Sequence, residues 1–126
     1  QVPCGIFDDA KQLAKLKEDA ATIRKAQTEL TDAGAPSDAA GANTFTRWVM
    51  YKEQHADAII KDIGYYYMAQ RFPKWEFGSD DDYKTALELH HKTMVCAVKA
   101  KQSTDVATSD ALDAAIEAMA ALPMYA

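Results

Sequence analysis

Cys4 stands between Pro3 and Gly5, ahead of any helical pattern, and its setting is the most chemically suggestive in the sequence. Proline fixes the approach of the chain and glycine permits a positive φ, so Pro3-Cys4-Gly5 predicts a tight turn that presents a thiol. A helix N-terminus just beyond such a turn favours the thiolate, which is the metal-binding form. The second cysteine, Cys96, lies beside Ala97 at the edge of an apolar stripe, where a buried, inert thiol is expected. Two cysteines do not make a disulfide framework. The three histidines are His55 and the adjacent pair His90 and His91. Neighbouring helical residues point about 100° apart, so His90 and His91 do not easily chelate one metal. His90 falls on an apolar face and reads as a core imidazole held by one hydrogen bond, and His91 reads as solvated. Glu88 precedes His90 by two residues, not the three of a Glu-x-x-His pair, which disfavours a carboxylate-bridged di-metal core. Tyr65-Tyr66-Tyr67 spans most of a helix circumference, so at least one ring must leave the core and suggests a subunit contact.

The elements that position these groups are helical. Leu13, Leu16, Ala20, Ile23 and Leu30 recur at three- and four-residue steps, interrupted by Gln27, and predict a helix from about Asp9 to Asp32. Asp8 and Asp9 favour its start, and Gly34 with Pro36 ends it. A small, polar loop is expected through Gly41. A second helix should begin near Asn43 or Thr44, carry Phe45, Trp48, Val49, Ala56, Ile59, Ile60, Ile63, Tyr66 and Tyr67, and stop before Pro73. The segment Pro73-Lys74-Trp75-Glu76-Phe77-Gly78 has no period and is expected to fold over one end of the bundle. Ser79 followed by Asp80, Asp81 and Asp82 marks the start of a third helix reaching about Gln102, with Tyr83, Ala86, Leu87, His90, Met94, Ala97 and Val98 inward. A weaker fourth begins between Thr104 and Ser109, points Leu112, Ala115, Ile116, Met119 and Leu122 inward, and stops before Pro123. No segment alternates as a strand would. The expected fold is all-α, an antiparallel up-down-up-down four-helix bundle over residues 9–126, with an irregular N-terminal arm over residues 1–8.

Composition agrees with one globular domain: 126 residues, 48% hydrophobic and 26% charged. Fourteen Lys and Arg against nineteen Asp and Glu give a formal net charge of -5, with no block of either sign. Nucleic acid is therefore not an expected partner, because phosphate binding needs a clustered basic face. No apolar run approaches the roughly 20 residues that span a bilayer, so a soluble protein is expected. The compartment stays open between cytoplasmic and plastid or thylakoid-associated locations. The chain begins at Gln1 without a Met, which suggests processing or trimming there.

Gln1-Val2-Pro3-Cys4-Gly5-Ile6-Phe7-Asp8 resembles the end of the nickel hook of the nickel-containing superoxide dismutases, whose signature is His-Cys-x-x-Pro-Cys-Gly-x-(Tyr or Phe)-Asp. Lys52-Glu53-Gln54-His55-Ala56 is similar to a segment of the family's second long helix, and Leu89-His90 more loosely to one in its third. The resemblance implies a nickel cofactor, superoxide as substrate, and assembly as a homo-oligomer, a hexamer of four-helix subunits. In the family, nickel is held by the terminal amine, by the first cysteine's amide nitrogen and thiolate, by the second cysteine's thiolate and by an axial imidazole. Thiolate and anionic amide donors stabilise the higher oxidation state and favour square-planar Ni(II).

Carried over residue by residue, the resemblance makes Cys4 the second thiolate ligand and Pro3 and Gly5 the shape of the hook. Phe7 stands where many members have a tyrosine near the open coordination face, so that hydroxyl is missing. His55 falls at a position that is arginine in some members and supports the axial imidazole, with Glu53 beside it. The His and first Cys of the signature would directly precede Gln1, and without them the chain as written is expected to be catalytically incompetent. Two explanations stand open: a chain with His-Cys ahead of Gln1, or a hook-less relative serving as a non-catalytic structural or assembly subunit of a larger complex. A helical binding module that matches the family by accident is a third.

Overall fold

A computed structural model describes residues 7–125, and these form four α-helices joined by short turns, with no strand among them. Helix α1 spans Asp9–Ala33, α2 Ala39–Asp62, α3 Asp80–Lys101 and α4 Val106–Ala120. Short 3-10 turns occupy Lys74–Glu76 and Pro123–Tyr125.

Each α-helix starts on a side chain that satisfies an otherwise free backbone N–H. Asp8 accepts from Lys11 N, Asp38 from Gly41 N, Ser79 from Asp82 N and Asp105 from Ala107 N. The start of α2 differs from the sequence expectation of Asn43 or Thr44. Asp38 is the cap, and Ala39-Ala40-Gly41 is helix, not loop. The apolar stripe begins only at Phe45, so the first turns of α2 leave no hydrophobic trace and are marked by the cap alone. At the end of α1, Gly34 adopts φ 65° while its N–H donates to Leu30 O at 3.2 Å. That conformation is essentially reserved for glycine.

Past Asp62, α2 widens into a π-helical segment, Ile63–Met68. The Ala69 N–H donates to Gly64 O, five residues back, at 2.9 Å. The wider turn lets Tyr66 and Tyr67 both point inward, and Tyr65 is left 62% exposed. One tyrosine ring therefore leaves the core, as the sequence required.

Helix α1 packs on α2 and α4, and α3 packs on α2 and α4. The cross-helix pairs run in inverse sequence order. Between α1 and α2, Lys15 Nζ meets Asp62 at 2.6 Å and Asp19 meets His55 at 2.7 Å. Between α1 and α4, Lys17 pairs with Glu117 and Arg24 with Asp110 and Asp113. The core is built from Leu16, Ile23, Ile59, Ile63, Leu112, Ile116 and Met119, with small alanines between them. Gln27, which breaks the stripe of α1, is buried and knits three elements together. Its amide Nε2 donates to Ala100 O, Ser103 O and Thr108 Oγ1, and its Oε1 accepts from Ser109.

Helix α3 is rotated relative to the expected face. Thr93, Cys96, Ala97 and Ala100 are buried, and Val98 is exposed. The thiol of Cys96 is free and buried, as expected. The connection after Pro73 covers one end only in part. Phe77 tucks against Phe72 and Tyr83, while Trp75 is 84% exposed.

Candidate functional site

Cys4, Pro3 and Gly5 lie outside the described residues, so the candidate site is approached from the residue where the description begins. Phe7 is half-buried, and its ring forms a T-shaped pair with that of Tyr66, centroids 5.9 Å apart. The Arg71 guanidinium lies over the same ring, with Cζ 4.8 Å from its centroid.

Directly behind Phe7, the first residue of α1 is held by the end of α2. Asp9 Oδ1 accepts from the Tyr66 hydroxyl at 2.7 Å and from Arg71 Nε at 3.1 Å, and Asp9 Oδ2 accepts from Arg71 Nη2 at 2.9 Å. Arg71 is held in turn by its own N–H, which donates to Tyr67 O at 2.8 Å, and by Glu76 3.4 Å from Nη1. Its side chain is only 13% exposed, so this planar, two-pronged pair is shielded from solvent far more than a surface ion pair. Burial pushes the Asp9 carboxyl up, but the hydrogen bonds from Arg71 and Tyr66 outweigh it, and the carboxyl titrates below its ordinary range. The Tyr66 phenol is driven the other way, first by burial and then by its bond to the Asp9 carboxylate.

Next to this cluster sits a buried aromatic group. His90 Nδ1 donates to Ala86 O at 2.7 Å, and its Nε2 accepts from the Tyr125 hydroxyl. The expected single hydrogen bond of His90 is therefore two. The rings of Tyr67, Phe72 and Tyr125 surround it, and burial holds its pKa down to about 4. The Tyr67 hydroxyl finds no hydrogen-bond partner among the described residues. His91 is exposed, as expected.

Glu53 and His55 stand elsewhere in this chain. They lie two positions apart on α2 and so roughly 200° apart around it. Glu53 faces α3, 3.5 Å from Lys101 Nζ, and His55 faces α1, where Nδ1 is 2.7 Å from Asp19 Oδ1. His55 precedes Tyr66 by eleven residues, about 16 Å along the helix axis. The structure thus brings Phe7 together with Asp9, Tyr66 and Arg71, and brings neither Glu53 nor His55 to that end. Sequence reading had Asp9 as a first-turn acid and Tyr66 as a face residue, and it passed over Arg71. Nothing in their spacing links residues so far apart in the chain.

Among the described residues, no group of three or more His, Cys, Asp and Glu side chains could hold a metal ion. Asp9 is committed to Arg71 and Tyr66, His90 has both nitrogens engaged, and Cys96 is isolated in the core. Among the described residues, these donors do not fit a nickel centre.

The sequence model of the nickel-containing superoxide dismutases matches residues 1–125, nearly the entire chain. The chain belongs to that family. No curated protein and no solved structure matches it. Among the described residues, no helix is long and apolar enough to cross a membrane.

Proposed function

We propose that this protein is a nickel-dependent superoxide dismutase, converting two superoxide anions and two protons to dioxygen and hydrogen peroxide. The observation that carries the proposal is the Pro3-Cys4-Gly5-Ile6-Phe7-Asp8 run, which reproduces the end of the hook signature inside a family match that includes it. Cys4 is the thiolate ligand, and Pro3 and Gly5 shape the turn that presents it. Phe7 closes the coordination face with an apolar ring in place of a phenol. Glu53 and His55 act as supports of the hook only if they reach it from another subunit.

The inverse order of the cross-helix pairs supports an antiparallel up-down-up-down bundle behind the arm. The exposed rings of Tyr65 and Trp75 support burial in a homo-oligomer, a hexamer by family resemblance.

One thiolate does not make a redox-active nickel site, and the hook signature supplies the remaining donors from a His-Cys pair directly ahead of the position of Gln1. A chain carrying His-Cys ahead of Gln1, with a free amino terminus, should bind one nickel per subunit and turn over superoxide. Cys4→Ser in that chain should abolish both. The test is nickel stoichiometry by elemental analysis together with superoxide decay followed after pulse radiolysis. A His-Cys-extended chain that folds but takes up no nickel defeats the proposal and leaves the non-catalytic assembly role. Intact mass of native material shows directly what precedes Gln1.

A further inference from the structure

We propose that Asp9, Arg71 and Tyr66 form a clamp that fixes Phe7 and the start of α1, and with them the base of the N-terminal arm whose sequence carries Cys4. The clamp rests on the proposed function only in that the arm carries a metal ligand.

Three observations carry it. First, the pairing is over-built for a helix start: α1 already has Asp8 as its cap, yet the Asp9 carboxylate receives three hydrogen bonds from the end of α2. Second, the donors are themselves held. Tyr66 is buried by the π-helical turn, and Arg71 is bonded through its backbone to Tyr67 and through its side chain to Glu76. Third, the clamp reaches past α1 to the arm, because the Phe7 ring contacts both the Arg71 guanidinium, 4.8 Å from its centroid, and the Tyr66 ring, in a T-shaped pair 5.9 Å apart. Cys4 precedes Phe7 by three positions, which an extended chain spans in at most about 11 Å. A clamp on Phe7 therefore anchors the chain three positions from Cys4 in the sequence.

A metal-binding arm must give up conformational freedom when its donors converge, and an arm with an anchored base has less to give up. Arg71 and Tyr66 act through Asp9 and Phe7, and are positioning residues, not ligands.

The test uses the full native chain and the variants Asp9→Asn, Arg71→Met and Tyr66→Phe, with the double variant Asp9→Asn/Arg71→Met. Amide hydrogen exchange is measured on metal-free protein, followed by nickel affinity. Loss of the clamp should speed exchange at residues 7–12 by about tenfold in Asp9→Asn and Arg71→Met, with α3 and α4 unchanged. The double variant should be no worse than either single one, since both remove one interaction. Nickel affinity should fall in the same order as arm protection. Unchanged exchange at residues 7–12 overturns the proposal, as does loosening spread equally over all four helices, which marks a general contribution to folding. A loosened arm with undiminished nickel affinity overturns the positioning role. Tyr66→Phe removes one hydroxyl without a cavity and keeps the test decisive should the other variants unfold. If the wild-type chain takes no nickel, the proposed function fails, and the exchange data still decide whether the clamp holds the arm.

Discussion

His90 offers a quantitative test of the core. The imidazole is fully buried and satisfied in its neutral form: Nδ1 carries the proton and donates to Ala86 O, while Nε2 accepts from Tyr125. Protonating Nε2 would break the second bond and place a charge among aromatic rings, which is why burial holds the pKa down to about 4 from 6.5. In the unfolded chain the ring takes up its proton near pH 6.5, and in the native chain it does so only near pH 4. The unfolded state therefore binds more protons in that window. The stability tied to His90 is complete above about pH 6.5, falls as pH drops from 6.5 to about 4, and changes no further below. A gap of about 2.5 at roughly 1.4 kcal/mol per pKa unit gives about 3 kcal/mol, a large part of the stability of a domain this size. The assay is urea unfolding followed by circular dichroism at several pH values from about 7.5 to 4.5, for the wild type and His90→Gln. His90→Gln should be less stable at neutral pH but lose distinctly less stability on acidification, because one titrating group has gone. Every other titratable group is common to the two proteins and cancels in the difference. Parallel curves for the two proteins would refute the assignment, as would an imidazole resonance of His90 that titrates near pH 6.5.

Three further substitutions probe separate parts of the fold. Gly34→Ala should cost about 1–3 kcal/mol in thermal or urea unfolding, since a side chain is strained at φ 65° even though a Cβ there meets no neighbour. Tyr67→Phe should leave the melting temperature unchanged or raise it slightly, because it removes a buried hydroxyl that has no partner among the described residues; a fall of several degrees would reveal a partner for that hydroxyl. Gln27→Ala should cost about 3 kcal/mol, more than the loss of the same atoms from the surface, because it strands Ser109 Oγ in the core and takes one donor from the carbonyl of Ala100. A cost below about 1 kcal/mol would mean that this network contributes little beyond what water supplies in the unfolded chain.

Much of the scaffold is local in origin and could be read from the chain. The stripe of α1, the Ser79 cap with its three acids, and the glycine and proline stops act over a few residues, and the helices follow them. The start of α2 was missed because Asp38 is followed by small residues, which a cap can turn into helix but which bury nothing. The π-helical turn was missed because a hydrophobic period of 3.6 does not register one widened turn, although the run of three tyrosines hinted at an unusual surface.

By itself, the sequence determined the all-helical class, the burial of His90 and Cys96, and the likeness of the segment around Cys4 to a nickel hook. Only the tertiary structure decided what holds the base of the arm. Asp9 and Arg71 lie 62 positions apart, and neither helix period nor capping chemistry carries information over that distance. Their pairing exists because α1 and α2 pack side by side and the widened turn at the end of α2 aims Tyr66 and Arg71 at one carboxylate. The same packing separates Glu53 from His55, whose closeness in sequence becomes contact with different helices once α2 is wound.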